Sequence, residues 1–181
     1  HRCVLEGIRY LRQVVGESAV KLEILSAAYG LISEYREIVP YEVTFNVFRH
    51  GREFDEWAKL LRIHEDFESA IASSNLVFIL LGNQYLRSLS LPVKTHKKQT
   101  LIFLASKGSA TLIPDLEAKT FVMSLTNTEA RCYSYGLVGL KGFLLKQFAQ
   151  ILLTQHDAIE RVYQEPEYFE EIINSFFLIP F

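Results

Sequence analysis

Val4, Ile8, Leu11 and Val15 recur at helical spacing and Gly16 ends the run, which predicts an amphipathic first helix. The stretch 20–25, VKLEIL, alternates and includes β-branched residues, then meets Ser26-Ala27-Ala28-Tyr29-Gly30. A strand running into a tight turn is expected there. Residues 33–52 have no period, with Pro40 and Gly51 as breakers, and long ordered loops of this kind are often functional. Phe54, Trp57, Leu61, Phe67 and Ile71 lie on one stripe and predict a second helix over 53–72. Leu76-Val77-Phe78-Ile79-Leu80-Leu81 is an unbroken apolar run, as expected of a strand covered on both faces in a parallel sheet. It ends at Gly82-Asn83, ahead of a short helix that carries Tyr85 to Leu89. Strands are predicted over 100–105 and 119–124. From Thr126 the pattern turns helical, interrupted by Gly136, Gly139 and Gly142. A strong helix follows over 143–155, and a last one over 166–177 has Pro166 in its first turn.

This alternation predicts an α/β fold: a largely parallel sheet flanked by helices, in one domain spanning 1–181 with 155–181 as a helical C-terminal extension. Strands near 20–25, 76–81 and 100–105 are expected to run parallel. Because β-α-β crossovers begin with a strand, a helix in first place leads us to expect an N-terminal strand upstream of His1. Phe54, Trp57, Leu61, Phe78, Ile79, Leu101, Phe103, Phe148 and Ile151 are the expected core.

Composition narrows the function classes. With 49% hydrophobic and 22% charged residues the chain is neither disordered nor a disulfide miniprotein. A net charge of −2 argues against binding nucleic acid by bulk charge. Cys3 and Cys132 have no CxxC spacing and read as reduced thiols of a cytoplasmic protein. No apolar run reaches membrane-spanning length, so no membrane partner is expected. The greasy end, Phe176 to Phe181, is expected to pack on the body, or else to join copies of the chain into an oligomer.

Ligands of open α/β sheets bind beyond the carboxyl ends of strands. Here those ends are Ser26 to Gly30, Gly82 to Tyr85, and Ser106-Lys107-Gly108. Ser26, Tyr29, Gly30, Tyr41, Gly82, Asn83 and Tyr85 are therefore expected to line one concave site. The glycines would leave room for a flat ligand, and Ser26 and Asn83 would read its polar edge. Two basic groups, Arg49-His50-Arg52 and Lys94-His96-Lys97-Lys98, read either as solvated loops or as phosphate contacts. Gly136-x-x-Gly139-x-x-Gly142 with Lys141 resembles a phosphate cradle, but it lacks P-loop spacing and follows no clear strand, and small residues at a helix start or helix contact explain it better. The histidines lack HExxH or paired metal spacing, and there is no G-x-S-x-G. No motif calls for a cofactor or a metal.

Three segments taken together carry a resemblance. They are Leu25-Ser26-Ala27-Ala28-Tyr29-Gly30-Leu31-Ile32, Ile38-Val39-Pro40-Tyr41-Glu42-Val43-Thr44, and Leu80-Leu81-Gly82-Asn83-Gln84-Tyr85. Their order over 25–86 resembles the layout of the YaaA-like peroxide-stress proteins. It is also similar to small bacterial domains of unknown function and to the core of archaeosine-type tRNA-modifying enzymes. The resemblance implies an α/β fold with a polar pocket around the Tyr-Gly-Leu turn, and a link to nucleic acid or nucleobase chemistry. Ser26, Tyr29, Gly30, Pro40, Tyr41, Gly82 and Tyr85 are the positions that would carry over. The expected function is recognition of a nucleotide or nucleobase-like ligand, by an enzyme of nucleobase modification or glycosidic transfer. The alternatives are a non-catalytic nucleic-acid-binding stress protein and a protein-interaction module built on the acidic C-terminal helices and aromatic tail.

Overall fold

The computed structural model describes residues 2–48 and 50–177. Its centre is a parallel three-stranded sheet of β3 (Leu76–Ile79), β4 (Thr100–Ser106) and β5 (Lys119–Leu125), in that spatial order. Register places Phe78 opposite Ile102, and Ile102 opposite Phe121. Central β4 is buried from Thr100 to Ala105, which is why its side chains are apolar at both parities. Ile102 and Leu104 face one layer of helices, and Leu101 and Phe103 face another.

The first layer holds α1 (Arg2–Val15), α7 (Leu137–Ile151), α8 (Ala158–Gln164) and α9 (Tyr168–Phe177). Gly7 and Gly142 let α1 and α7 approach closely. A Cβ on Gly142 would lie 2.8 Å from Val4 Cγ2, and one on Gly7 3.1 Å from Lys146 Cα. The contact is pinned by Glu6, which pairs with Lys146 at 2.6 Å and Arg2 at 2.9 Å. Hydrogen bonds from Lys146, then Arg2, hold the Glu6 carboxyl down to about 2. The C-terminal segment is helical as expected, and Val162, Phe169, Ile172 and Ile173 make it part of the core.

The second layer is α2 (Gly51–Leu60), α3 (Ile63–Ile71) and α4 (Asn83–Ser88). Short helices α5 (Lys107–Ala110) and α6 (Asn127–Cys132) follow β4 and β5. The result is one α/β domain with a parallel sheet between helices. No helix among the described residues is long and apolar enough to cross a membrane.

The structure departs from the sequence reading at two places, the 20–25 strand and the 53–72 helix. The 20–25 strand is not in the parallel sheet. Instead β1 (Glu23–Ser26) forms an antiparallel hairpin with β2 (Gly30–Ser33), in a separate sheet. Alternation identifies a strand but not the direction of its partner. The helix over 53–72 is two helices, because Arg62 takes a left-handed turn at φ 53° while the apolar stripe continues across the break. Trp57, Leu61 and Phe78 are half-buried, whereas the other six expected core residues are buried. Of the C-terminal tail, 178–181 lies outside the described residues; Phe176 is 53% exposed, and Phe177 packs on Tyr133 and Phe143.

Candidate functional site

Ser26 closes β1 and opens the turn to Gly30. Its buried Oγ accepts the amides of Ala28 at 3.2 Å and Tyr29 at 3.1 Å, and donates to the Tyr41 hydroxyl at 2.5 Å. A serine oxygen has two lone pairs and one proton, so these three bonds use all of them. The direction of the chain is thereby set: two amides feed Ser26, and Ser26 feeds Tyr41. The Tyr41 proton must point elsewhere, and among the described residues it has no acceptor. Tyr29 donates to the Val39 carbonyl at 3.1 Å and meets the Tyr41 ring edge to face at 5.3 Å. These contacts seat the loop after β2 on the hairpin turn.

Gly30 is required by geometry. Its φ is +72°, and a Cβ would lie 2.7 Å from the Leu61 carbonyl oxygen at the break between α2 and α3. From the same side, Trp57 Nε1 donates to the Ala27 carbonyl at 2.8 Å. Arg12 anchors the far end of the hairpin, reaching the Glu34 carboxylate and the Val20 carbonyl.

The second predicted segment follows β3. Gly82 caps α4 and is exposed, as is Asn83, the first residue of that helix. Half-buried Tyr85 packs edge to face on Phe45 at 4.9 Å. Burial raises its hydroxyl pKa, and the neighbouring Tyr41 adds to the rise. Ser26, Tyr29, Gly30 and Tyr41 are thus brought together directly, and Tyr85 adjoins them through Tyr41 and Phe45. Gly82 and Asn83 stand at the exposed start of the helix that carries Tyr85. The bridge is not the one expected from two neighbouring parallel strands, since β1 is antiparallel to β2. The 34–50 loop and α2 make it instead, through Phe45, Phe48 and Trp57.

Of these residues Ser26 and Gly30 are buried, Tyr29 and Tyr85 half-buried, and Tyr41, Gly82 and Asn83 exposed. Cavities of about 350 and 380 Å³ lie elsewhere, and none of the seven residues lines either one. The first is bounded by Asp55, His64 and Ser88, the second by Lys21, Glu34 and Tyr35. The Lys94–Lys98 group precedes β4, so it sits at the amino edge of the sheet, opposite the strand ends named above. Arg49 lies outside the described residues, and Arg52 pairs with Glu56 along α2 at 2.8 Å.

Sequence reasoning sets Lys141 aside with its glycine series. One turn into α7, its Nζ donates to the carbonyl of Leu81 at the end of the β3 run. Burial alone pulls the amine down to about 8. The lysine lies within a glycine series that serves capping and packing: Gly136 caps α7, Gly139 lies against Tyr135, and Gly142 is the α1 contact. Spacing therefore pointed away from it, and burial of the amine is a tertiary property that no local pattern carries. Nearby strand ends satisfy themselves: Ser106 Oγ accepts the Ser109 amide, and Thr126 forms a capping box with Glu129.

No curated protein and no solved structure matches the chain. One family profile, described as "Family of unknown function (DUF6884)", matches residues 8–111. The matched stretch runs from α1 through α5, and so includes the hairpin, the loop and the Gly82–Tyr85 segment but not Lys141. It covers more than half of the 181 residues, and the chain belongs to this DUF6884 family.

Proposed function

We propose that the surface around Tyr29, Tyr41 and Tyr85, backed by Ser26 and with Gly82 and Asn83 beside it, binds a nucleobase or nucleotide. The observation that carries this reading is the directed chain from the Ala28 and Tyr29 amides through Ser26 to Tyr41. It leaves one phenol whose proton has no acceptor among the described residues, on a ring 38% exposed. Hydrogen bonds in series polarise one another, so the last donor is strengthened. An aromatic face beside a committed donor suits a flat ligand with an acceptor atom on its edge. The resemblance over 25–86 supports the same class of ligand, and base modification or glycosidic transfer is the reaction class it suggests.

The test is a thermal-shift screen of nucleobases, nucleosides, nucleotides and short oligonucleotides, because a ligand that binds only the native state raises its stability. At least one member of the panel is expected to raise the melting temperature of the wild type, and Tyr41→Phe to abolish most of that rise. A panel without effect, or a Tyr41→Phe protein that responds like the wild type, would sink the reading.

A further inference from the structure

Lys141 has a setting that a purely structural lysine does not need. Its amine is half-buried at the carboxyl edge of the parallel sheet. No carboxylate of the described residues lies within 4.0 Å of it, although Lys94 and Lys146 both have such a partner. An ammonium offers three donors, and the Leu81 carbonyl uses one. A charge drawn out of water without a counter-ion is costly, and burial is the only resolved influence on its pKa, with no acid offsetting it. The next residue along the β3 exit is Gly82, where an added Cβ would meet nothing within 4 Å. The carbonyl that Lys141 holds is thus followed by an exposed, unobstructed backbone position, at the strand edge where α/β proteins hold ligands.

We infer that Lys141 binds an anionic oxygen group, the phosphate of a nucleotide, at the Gly82 end of the β3 exit. The identity of the rest of the ligand rests on the proposed function above; the preference for a phosphate does not. The phosphate supplies the missing counter-charge and accepts the remaining Nζ donors. Gly82 caps the helix that carries Tyr85, and a nucleotide held at Lys141 by its phosphate extends its ring toward that helix.

The experiment compares wild type with Lys141→Met by isothermal titration, using a nucleoside 5′-monophosphate, the matching nucleoside and inorganic phosphate as probes. The variant is expected to bind the monophosphate about 10- to 100-fold more weakly, the range of one charge-assisted hydrogen bond. It should bind the nucleoside as the wild type does, and its melting temperature should hold or rise, since an unpaired charge has been removed. A second measurement does not depend on the variant. Acylation of Lys141 in the wild type, followed by peptide mass spectrometry, should slow when inorganic phosphate is added. If phosphate leaves acylation unchanged, or the variant binds the monophosphate like the wild type, the inference is overturned. Protection by phosphate with no binding of either nucleoside or monophosphate would keep the anion site and overturn the nucleotide reading. A variant that melts lower while binding the monophosphate normally would make Lys141 a strap between α7 and β3 and overturn the anion site.

Discussion

The sheet and the hairpin-loop region are held together by different physics. Around β4, side chains of both parities are buried and the backbone is paired on both sides, so apolar area dominates. Between Glu23 and Phe48 the chain has only one short antiparallel pair. It is organised by hydroxyls, an indole N–H, edge-on aromatic rings and an arginine. Much of its surface stays apolar, with Val39 71% and Val47 59% exposed. The first arrangement is strong and tolerant of polar detail. The second depends on single atoms, which is the condition of a recognition surface, and stability is expected to be unequal between them.

The sharpest way to break the sheet side is Phe103→Ala. Phe103 is fully buried on central β4, and removing its ring leaves a cavity. A loss of about 3–5 kcal/mol is expected in urea or guanidinium unfolding. A loss below ~1 kcal/mol would mean that the sheet is not the stabilising centre.

On the hairpin side the strongest break is Gly30→Ala. The residue would sit at a positive φ with its Cβ 2.7 Å from a backbone oxygen at the break between α2 and α3. Left-handed strain of about 1–2 kcal/mol combines with forced separation of the hairpin from that break. Hydrogen exchange should show protection lost over 23–33 while β4 stays protected. Equal loss in both regions would show that they unfold as one unit.

Legibility followed the same divide. Leu76 to Leu81 and Thr100 to Ala105 advertise themselves, because double-sided burial requires unbroken apolar runs, and the structure places β3 and β4 there. The 20–25 alternation revealed a strand but not its antiparallel partner. Gly30-Leu31-Ile32-Ser33, the partner, is only four residues long and begins with glycine. The break at Arg62 was hidden because the stripe of Phe54, Phe67 and Ile71 stays in phase across it. In the site, small and aromatic residues after strands marked the turn and Tyr85. Their connection through Phe45 and Trp57 required the loop path, which has no period. Spacing sets Lys141 aside with its glycine series, because the meaning of this lysine lies in what surrounds its amine.

Lys141 sharpens the comparison by putting a recognition-type group on the sheet side. Its folded pKa, about 8, lies below the ordinary lysine value of 10.5. Between those values the unfolded chain binds more protons than the native one, so wild-type stability should rise with pH across that window. Below pH 8 the full penalty applies, and Lys141→Met should be the more stable protein by about 1–3 kcal/mol at pH 7. The advantage should shrink towards pH 10.5. Other lysines and tyrosines titrate in the same range, so the informative quantity is the difference between variant and wild-type stability. A difference independent of pH would remove the buried charge as its cause.

The smallest expected effect tests the hydroxyl chain itself. Ser26→Ala removes the acceptor for the Ala28 and Tyr29 amides and the donor to Tyr41, in a buried position. Tyr41→Phe removes the oxygen that accepts the Ser26 hydroxyl, on a residue 38% exposed. A net hydrogen bond is worth about 0.5–1.5 kcal/mol, and Ser26→Ala strands two half-buried amides, whereas Tyr41→Phe strands only the Ser26 hydroxyl, which can rotate. Global stability should therefore fall by about 1 kcal/mol or somewhat more for Ser26→Ala and by less for Tyr41→Phe. Exchange of the Ala28 and Tyr29 amides separates the two more cleanly than melting does. Both should exchange faster in Ser26→Ala, while in Tyr41→Phe the serine still accepts them and they should stay protected. If Tyr41→Phe exposes those amides as fully as Ser26→Ala, Tyr41 is holding the turn closed. Its hydroxyl then acts as a latch for the loop, and its proton is not free to meet a ligand.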